Sequence, residues 1–180
     1  MPKPSAREKV MDAYEELLIE QGPGAVTLEA VAARAGVSKG GLLYHFGSKD
    51  ALVEGLIERI GQLGVADREA ARNAPEGVVR YYLESSATDV TDDKAIHHTT
   101  MATMRLIGSE PRIDVAMRAY TDEWRLLLNE HITHPVTAEI IGAIGDGLYF
   151  RASLGVDPSP LLKELTDVLL RFSEKETEPG

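Results

Sequence analysis

The sequence predicts an all-α protein of about nine helices without a β-sheet. Apolar residues recur at the roughly 3.6-residue spacing of an amphipathic helix, and the apolar–polar alternation typical of strands is nearly absent. Serine, threonine, glycine and proline separate these apolar stretches, which is the pattern expected at helix ends. A chain of 180 residues can bury about 70% of the surface that it exposes when unfolded, enough for one large domain or two small ones.

Four helices are predicted in the N-terminal part of the chain. Serine and threonine supply side-chain oxygens for the free N–H groups of a first helical turn, and glycine can take the left-handed conformation that ends a helix. These signals predict helices over the following ranges: Ser5 to Gly22, Thr27 to Gly36, Ser38 to about Phe46, and Ser48 to about Asn73. The apolar stripe of the first helix holds Val10, Tyr14 and Leu17.

Five further helices follow by the same reasoning, separated by glycine, proline or acidic residues. The predicted ranges are 76–88, 93–107, 111–132, 136–154 and 160–173. The charged tail at 174–180 is predicted to be disordered, because it has too few apolar residues to pack.

The composition excludes several classes of function. The chain carries 29 acidic and 19 basic residues, a net charge of −10, which argues against a protein that coats nucleic acid indiscriminately. It contains no cysteine, which excludes disulfides, thiol nucleophiles and cysteine-ligated metal sites. The longest stretch without Asp, Glu, Lys or Arg is about ten residues, against the ~20 of a membrane-spanning helix, and the N-terminus lacks the apolar core of a signal peptide. We therefore expect a cytoplasmic protein with no membrane partner.

One segment departs from the acidic balance of the chain. From Ala30 to Lys49 there is no carboxylate, and Arg34, Lys39 and Lys49 give the segment a charge of +3. A local excess of positive charge allows an acidic protein to approach a polyanion with one face. A chance gap in the acidic residues is the plainer alternative, and the motif in the same segment decides between the two.

The same segment contains two short helices joined by a tight turn, the pattern of a helix-turn-helix. Gly36 supplies the turn residue that tolerates a positive φ. Gly40 and Gly41 open the second helix, although each glycine costs about 1 kcal/mol relative to alanine. They serve either a close approach of the bare backbone to a large flat partner or simply a turn. Leu42 and Phe46 keep the helical spacing across them, which favours the first interpretation.

The segment Thr27 to Leu52, with its core GVSKGGLLYHFGSKDAL, resembles the DNA-binding domain of the tetracycline-repressor (TetR) family of bacterial transcription regulators. The glycine turn, the serine cap, an aromatic-His-Phe triplet and a Ser-Lys helix start all fall in register. This segment is the most specific part of a resemblance that covers about 50 of the 180 residues. The resemblance implies an all-helical homodimer, in which residues 1–47 form a three-helix helix-turn-helix domain on operator DNA. Residues 48–180 would then form the dimerisation domain, which binds a small-molecule inducer.

Carried over residue by residue, the resemblance also implies a set of DNA contacts. The expected set is Thr27, Ser38, Lys39, Gly40, Gly41, Leu43, Tyr44, His45 and Lys49. Thr27 and Lys49 are expected at phosphates, as are the two aromatic rings at the end of the second helix. A lysine at a helix start is unfavourable for the helix dipole, which supports a phosphate role for Lys49. Family members often carry a hydroxylated residue at Gly41 and an aromatic one at Leu43, so base reading is expected to depend mainly on Lys39.

The middle helices carry the candidate effector site. The candidates are Tyr82, His98, Met101, Met104, Arg105, Tyr120 and Trp124. Aromatic residues and methionines at helical spacing also fill ordinary cores, and that alternative stays open here. In a ligand site, Trp124 and the methionines suit a flat apolar compound, and Arg105 suits an anion.

The segment 136–154 is apolar nearly all round, so it needs cover on two sides. The last predicted helix offers one cover, and the same helix pair from a second subunit offers the other, which predicts an isologous four-helix interface. The candidate interface residues are Ile141, Ile144, Gly145, Leu148, Leu165 and Leu169. The glycines of this segment do not follow the order of a phosphate-binding loop and are expected to let two helices pack closely.

A regulator that a small molecule releases from DNA fits these features best, and a helix-turn-helix regulator controlled by a protein partner is the alternative. An enzyme is a third reading, but the sequence holds no nucleophile elbow and no nucleotide-binding loop. His97–His98 and the pair His131 and His134 are the metal-like groupings, and Pro135 ends the helix of the second pair. We therefore expect no metal and no cofactor.

Overall fold

The computed structural model describes residues 5–88, 95–157, 162, 164 and 165, and it confirms the all-α prediction: no strand occurs among these residues. Eight α-helices are found in this part of the chain: α1 (Ala6–Gln21), α2 (Leu28–Ala35), α3 (Lys39–His45), α4 (Lys49–Asn73), α5 (Val78–Thr88), α6 (Ala95–Met104), α7 (Pro111–His131) and α8 (Pro135–Ser153). A short 3-10 helix, Pro23–Ala25, lies between α1 and α2. Most of the predicted helix at 160–173, the predicted tail at 174–180 and Leu169 lie outside the described residues.

Side-chain caps set the starts of the first helices where the sequence predicts them. The Ser5 hydroxyl accepts a hydrogen bond from the N–H of Glu8 at 3.2 Å, and the Glu8 carboxylate accepts one from the Ser5 N–H at 2.6 Å. Thr27 accepts a hydrogen bond from the N–H of Ala30 at 3.1 Å. Gly36 ends α2 with a φ of 66°. Because each cap satisfies backbone groups that a helix end leaves unpaired, the local sequence decides these boundaries.

Two helix ends in the described residues differ from the prediction by more than one residue. α5 begins at Val78 rather than at 76, because Gly77 has a φ of 86° and belongs to the preceding turn. α6 ends at Met104 rather than at 107. The N–H groups of Arg105 and Leu106 donate to carbonyls three residues earlier, at 3.2 and 3.0 Å, and so leave the α-helical pattern.

The chain divides into two compact units. Unit 1 comprises Met1–Leu63 and Ala95–Met117, and unit 2 comprises Gly64–Lys94 and Arg118–Gly180. α4 and α7 each contribute residues to both units. The functional division into residues 1–47 and 48–180 stays a prediction of the sequence.

A continuous apolar core holds the helices of unit 1 together. α1 packs against α2, α3 and α6, and its buried face includes the predicted stripe of Val10, Tyr14 and Leu17. Val31 from α2 and Leu42 from α3 are fully buried in the same core. Burying a side chain of this size stabilises the fold by ~1.5–3 kcal/mol, so this core fixes α3 against the helices behind it.

In unit 2, α5 packs along α8. Tyr82, Trp124 and Ile141 come from three helices and are buried in one apolar cluster. A methyl group at Gly145 would overlap the ring of Tyr82, so a glycine is needed for this close approach. The Tyr82 hydroxyl donates a hydrogen bond to the carbonyl oxygen of Gly142 at 3.1 Å. Gly145 therefore serves close helix packing, as the sequence predicts, whereas a methyl group at Gly142 would meet nothing within 4 Å.

Candidate nucleic-acid interface

The turn between α2 and α3 is fixed by local hydrogen bonds and by one buried face. The N–H of Gly36 donates to the carbonyl oxygen of Ala33 at 3.2 Å, and the Ser38 hydroxyl accepts from the N–H of Gly41 at 3.0 Å. Leu42 and Phe46 are buried on the inner side of α3. α3 is therefore capped at its start and anchored from behind, which leaves its outer face open to solvent.

The outer face of α3 carries most of the residues that the sequence assigns to DNA. The exposed members of the set are Ser38, Lys39, Gly40, Leu43, Tyr44 and His45. Tyr44 is 86% exposed, which is uncommon for so large an aromatic side chain. Gly41 is half-buried beside the serine cap. Six of the predicted residues are thus exposed at the start of α3 or along it.

Two further predicted residues lie at helix starts. Thr27 is exposed and caps α2, and Lys49 is exposed at the first position of α4. The Nζ of Lys49 donates a hydrogen bond to the carbonyl oxygen of Pro23 at 3.3 Å, which holds the ammonium beside the loop that leads into α2. This bond gives Lys49 a structural partner that the sequence does not reveal.

The positive charge of the carboxylate-free segment is balanced by acidic residues from outside the segment. The Nζ of Lys39 lies 2.6 Å from Oε1 of Glu29 in the first turn of α2. Arg34 pairs with Glu16 and Glu20 of α1, at 3.0 and 2.8 Å. The hydrogen bond from Lys39 lowers the pKa of Glu29, so this carboxylate is charged at neutral pH. Two of the three cations of the segment, Arg34 and Lys39, are thus paired with carboxylates, whereas Lys49 donates to an uncharged carbonyl.

The two glycines of α3 differ in their surroundings. Both lie inside the helix, so the alternative that they belong to the turn is wrong. A methyl group at Gly40 would meet nothing closer than the Ser38 hydroxyl at 4.0 Å, whereas at Gly41 that distance is 3.2 Å. No close approach within the protein requires a glycine at Gly40, which leaves the surface of the helix open to an external partner.

The candidate effector residues fall into two groups, one in each unit. The members in unit 1 are His98, Met101, Met104 and Arg105. Arg105 lies directly after α6, and its Nε donates to the carbonyl oxygen of Leu18 at 3.3 Å, near the end of α1. A cation at this place is favourable for the dipole of α1. Arg105 therefore has a structural role in unit 1 beside its predicted ligand role.

A buried polar contact joins α6 to α1. Glu15 is almost completely buried, and its Oε1 accepts a hydrogen bond from the hydroxyl of Thr99 at 2.8 Å. The same carboxylate oxygen lies 3.5 Å from Nε of Arg59 in α4. Burial raises the pKa of Glu15, while Arg59, Thr99 and His98 oppose that rise. The sequence gives no sign of this contact, because its members are far apart along the chain.

The unit 2 group consists of Tyr82, Tyr120 and Trp124. The rings of Tyr82 and Trp124 are tilted against each other with centroids 4.9 Å apart, a geometry common among buried aromatic pairs. Burial raises the pKa of the Tyr82 hydroxyl, and the charge of Asp146 raises it further. These residues form an aromatic cluster in unit 2, and their role toward a ligand stays a prediction.

A buried arginine lies beside this aromatic cluster. Arg68 of α4 extends the buried stripe of Leu56, Ile60 and Gly64 by one more turn. Its guanidinium lies over the ring of Tyr120, with 6.0 Å from Cζ to the ring centroid. Arg68 follows these buried positions at the same four-residue spacing, and this spacing is the sequence signal that could have predicted its burial.

The predicted interface residues lie mainly inside their own unit. Ile141, Gly145 and Leu148 are buried, Ile144 and Leu165 are half-buried against the same apolar cluster, and Leu169 lies outside the described residues. The apolar side chains that α8 exposes lie on another side of the helix. They are Val136, Ile140 and Phe150, with Leu154 directly after the helix.

The described part of the chain shows neither a metal-like cluster nor a membrane helix. Within it, no three His, Asp or Glu side chains lie close enough to hold one metal ion. None of its helices combines the length and the apolar composition that crossing a bilayer requires.

A capped, two-helix unit that is anchored from behind and exposes lysine, bare backbone and an aromatic hydroxyl defines a helix-turn-helix DNA-binding protein. Comparison with known proteins agrees with this class. Residues 10–56 match the family model for bacterial regulatory proteins of the tetR family, and residues 76–174 match the tetracyclin repressor-like C-terminal domain. The chain therefore belongs to the TetR family of DNA-binding transcriptional regulators.

Individual relatives support the same assignment. The chain is 29% identical over 164 residues to the HTH-type transcriptional regulator YwcC of Bacillus subtilis, covering 78% of this chain and 73% of that protein. It is 27% identical over 173 residues to the HTH-type transcriptional regulator BetI of Burkholderia mallei, covering 88% and 89%. The crystal structure of the multidrug binding protein EbrR with malachite green has the same fold, with a TM-score of 0.69 and 20% identity over 93% and 98% of the two chains.

Proposed function

We propose that this regulator is a repressor that binds a palindromic operator as a homodimer and is released by a small-molecule inducer. The outer face of α3 is the observation that carries the proposal. Lysine, bare glycine backbone and a tyrosine hydroxyl are exposed there together, while Leu42 and Phe46 anchor the helix. A helix presented in this way fits the major groove of B-DNA.

The proposed contacts divide into base reading and phosphate binding. Lys39 is suited to O6 and N7 of guanine, and Leu43 to a thymine methyl group. Tyr44, His45 and Lys49 are assigned to phosphates, which position the protein without reading sequence. Thr27 can combine two roles, since its hydroxyl oxygen accepts from the N–H of Ala30 and its proton is left for a phosphate oxygen.

A palindromic operator requires two recognition helices about 34–36 Å apart, and hence two copies of the chain. The exposed apolar side of α8 is the surface that we assign to the second copy. Val136, Ile140 and Phe150 are exposed there at helical spacing, and such a stripe is costly in water unless a partner covers it. The residues that the sequence predicted for this interface, such as Ile141 and Leu148, lie on the other side of α8 and are buried in the apolar cluster of unit 2.

Release by an inducer requires only that the inducer binds one conformer more tightly and that this conformer binds DNA less tightly. The aromatic cluster of Tyr82, Tyr120 and Trp124 in unit 2 is the proposed ligand neighbourhood. EbrR, which has the same fold, forms a complex with malachite green, and this supports a ligand role for a protein of this fold.

The test is a gel shift with duplexes from the DNA that flanks the gene, followed by a screen of small molecules for release. Specific binding followed by release supports the proposal, with a scrambled duplex of equal length as the control. Binding that only a protein fraction reverses supports the partner-controlled alternative. Failure to bind any of these duplexes in dilute buffer contradicts the proposed function.

A further inference from the structure

Arg68 has a donor without an acceptor. Its side chain is only 7% exposed, and Nη1 has no hydrogen-bond partner among the described residues. Its Nη2 donates to the carboxylate of Glu123, which is itself 53% exposed at the edge of unit 2. In this buried guanidinium, Nη2 therefore has a hydrogen-bond acceptor, whereas Nη1 has none among the described residues.

Folded proteins rarely leave such a group unpaired. More than about nine in ten buried polar groups find a protein or water partner, because a buried donor without an acceptor loses its hydration and gains nothing in return. The penalty is larger for a charged donor such as a guanidinium. The unpaired Nη1 therefore marks a place where an acceptor that is not among the described residues is favourable.

The residues around Nη1 indicate what kind of molecule would supply that acceptor. The ring of Tyr120 lies beneath the guanidinium, and both approach α4 at Gly64. A methyl group at Gly64 would lie 2.8 Å from Cε2 of Tyr120 and 3.0 Å from Nη1 of Arg68. Trp124 follows Tyr120 by one helical turn of α7 and is buried. An arginine edge beside aromatic rings suits a flat aromatic ligand with one oxygen at its rim.

The charge balance indicates that this oxygen is neutral. The carboxylate of Glu123 already compensates the positive charge of Arg68 through the ion pair at Nη2. A second carboxylate at Nη1 would leave a net negative charge in a buried place, which is unfavourable, whereas a carbonyl oxygen adds an acceptor without adding charge.

We propose that Arg68 is the specificity-determining residue of the effector site, and that its Nη1 donates to the carbonyl oxygen of a neutral aromatic ligand. This inference rests on the proposed function, because it names the ligand class of the proposed inducer. The sequence suggested that Arg105 binds an anionic ligand. The present inference instead assigns ligand recognition to Arg68 and makes the ligand uncharged.

The test compares two probes that differ in charge on the same ring system. The neutral ketone 2-acetylnaphthalene and the anion 2-naphthoate are titrated calorimetrically into the full chain. We expect the ketone to bind at least tenfold more tightly than the anion. Equal affinity, tighter binding of the anion, or no binding of the ketone overturns the inference. A water molecule that satisfies Nη1 would give equal affinity.

Variants then assign the effect to Arg68. Arg68→Met should lower the ketone affinity at least tenfold, since the carbonyl loses its donor while the apolar surface remains. The matched control is Arg72→Met, one turn further along α4, which removes a half-exposed arginine paired with Glu130 at 3.6 Å and should leave the affinity unchanged. An unchanged ketone affinity in folded Arg68→Met overturns the inference.

Glu123→Gln provides a second variant that does not disturb a buried side chain. Without the compensating carboxylate, the guanidinium becomes an uncompensated cation, so the ratio of ketone to anion affinity should fall at least tenfold. An unchanged ratio overturns the charge argument. Operator binding, measured by fluorescence anisotropy on the same samples, separates the two proposals. A protein that binds operator but shows no ketone preference loses this inference alone, whereas a protein that binds no operator loses the proposed function.

Discussion

At the residue scale, the ion pair between Lys39 and Glu29 sets the electrostatics of the α3 outer face. The lysine that is assigned to base reading is neutralised by a carboxylate at 2.6 Å before any DNA arrives. The carboxylate of Glu29 therefore competes with DNA for the ammonium of Lys39. This competition weakens binding to every phosphate backbone, and only a well-placed base acceptor compensates for it. Glu29 is thus expected to favour specific over non-specific binding.

Glu29→Gln should tighten binding to random duplex DNA about three- to tenfold at ~0.1 M salt, because the lysine no longer has to leave a counter-charge. Operator affinity should rise less, so the ratio of specific to non-specific affinity falls. Fluorescence anisotropy with both duplexes measures the two affinities. Glu76→Gln, which changes the net charge equally at an exposed position of unit 2, is the control. An equal effect of the two variants would show that net charge alone is responsible.

The buried Glu15 makes the stability of the protein depend on pH. Its folded-state pKa is raised above the ordinary 4.5, so its contribution to stability is fully present below pH ~4.5 and is lost as the pH rises through the raised value. The charged and polar groups that face it are Arg59, Asp12, His98 and Thr99.

Glu15→Gln should remove this dependence, since a glutamine does not titrate. The free energy of unfolding of the wild type, minus that of the variant, should fall as the pH rises from 4.5. Urea unfolding between about pH 4 and 7.5 measures the difference. Thr99→Val removes a hydrogen bond that favours the carboxylate, which raises the folded-state pKa further and should extend the fall to higher pH. A difference that is constant with pH would contradict the raised pKa.

At the element scale, α4 shows how glycines in one helix can have opposite effects. A methyl group at Gly55 would lie 2.7 Å from Cε1 of Phe46, whose ring is buried behind α3. At Gly61 nothing lies within 4 Å of such a group. Gly55 thus allows α4 to pack closely against the aromatic anchor of α3, whereas Gly61 makes no such contact.

Gly55→Ala should lower the free energy of unfolding by about 1–3 kcal/mol, because the added methyl group overpacks a buried site. Gly61→Ala should raise it by up to about 1 kcal/mol, the gain from helix propensity alone. Urea unfolding followed by circular dichroism measures both. Equal stabilisation by the two substitutions would contradict the close packing at Gly55.

Local signals made the elements predictable, while contacts between elements were not. Ser5, Thr27 and Gly36 act on backbone groups within a few residues of themselves, so their role follows from the sequence. The partner of Lys39 lies on another helix, and no local pattern indicates it. The sequence also did not indicate the orientation of α8. A helix that is apolar nearly all round does not reveal which of its sides, that of Leu148 or that of Phe150, packs against its own chain.

At the scale of the whole molecule, the proposed dimer explains the exposed side of α8. Phe150→Glu should convert the dimer to a monomer in sedimentation at micromolar concentration, because it places a charge in an apolar interface. Phe150 is 64% exposed, and Val65 of α4 is exposed to a similar 62%. Val65→Glu is therefore the matched control and should leave the dimer intact. A dimer that survives Phe150→Glu would contradict this interface.

The net charge of −10 explains why one small surface must carry the approach to DNA. Most of the molecule repels a polyanion, so the affinity depends on the few cations and hydroxyls around α3. Their contributions are expected to differ in kind. Lys49 contributes to affinity for any sequence, whereas Lys39 contributes to the choice of sequence.

The most direct measurement is the affinity of Lys39→Ala and Lys49→Ala for the operator and for a scrambled duplex at fixed salt. Lys49→Ala should weaken binding to both duplexes by the same factor. Lys39→Ala should weaken operator binding more than scrambled binding and so reduce the preference. Wild-type affinities for both duplexes in both variants would contradict the assignment of the α3 surface to DNA.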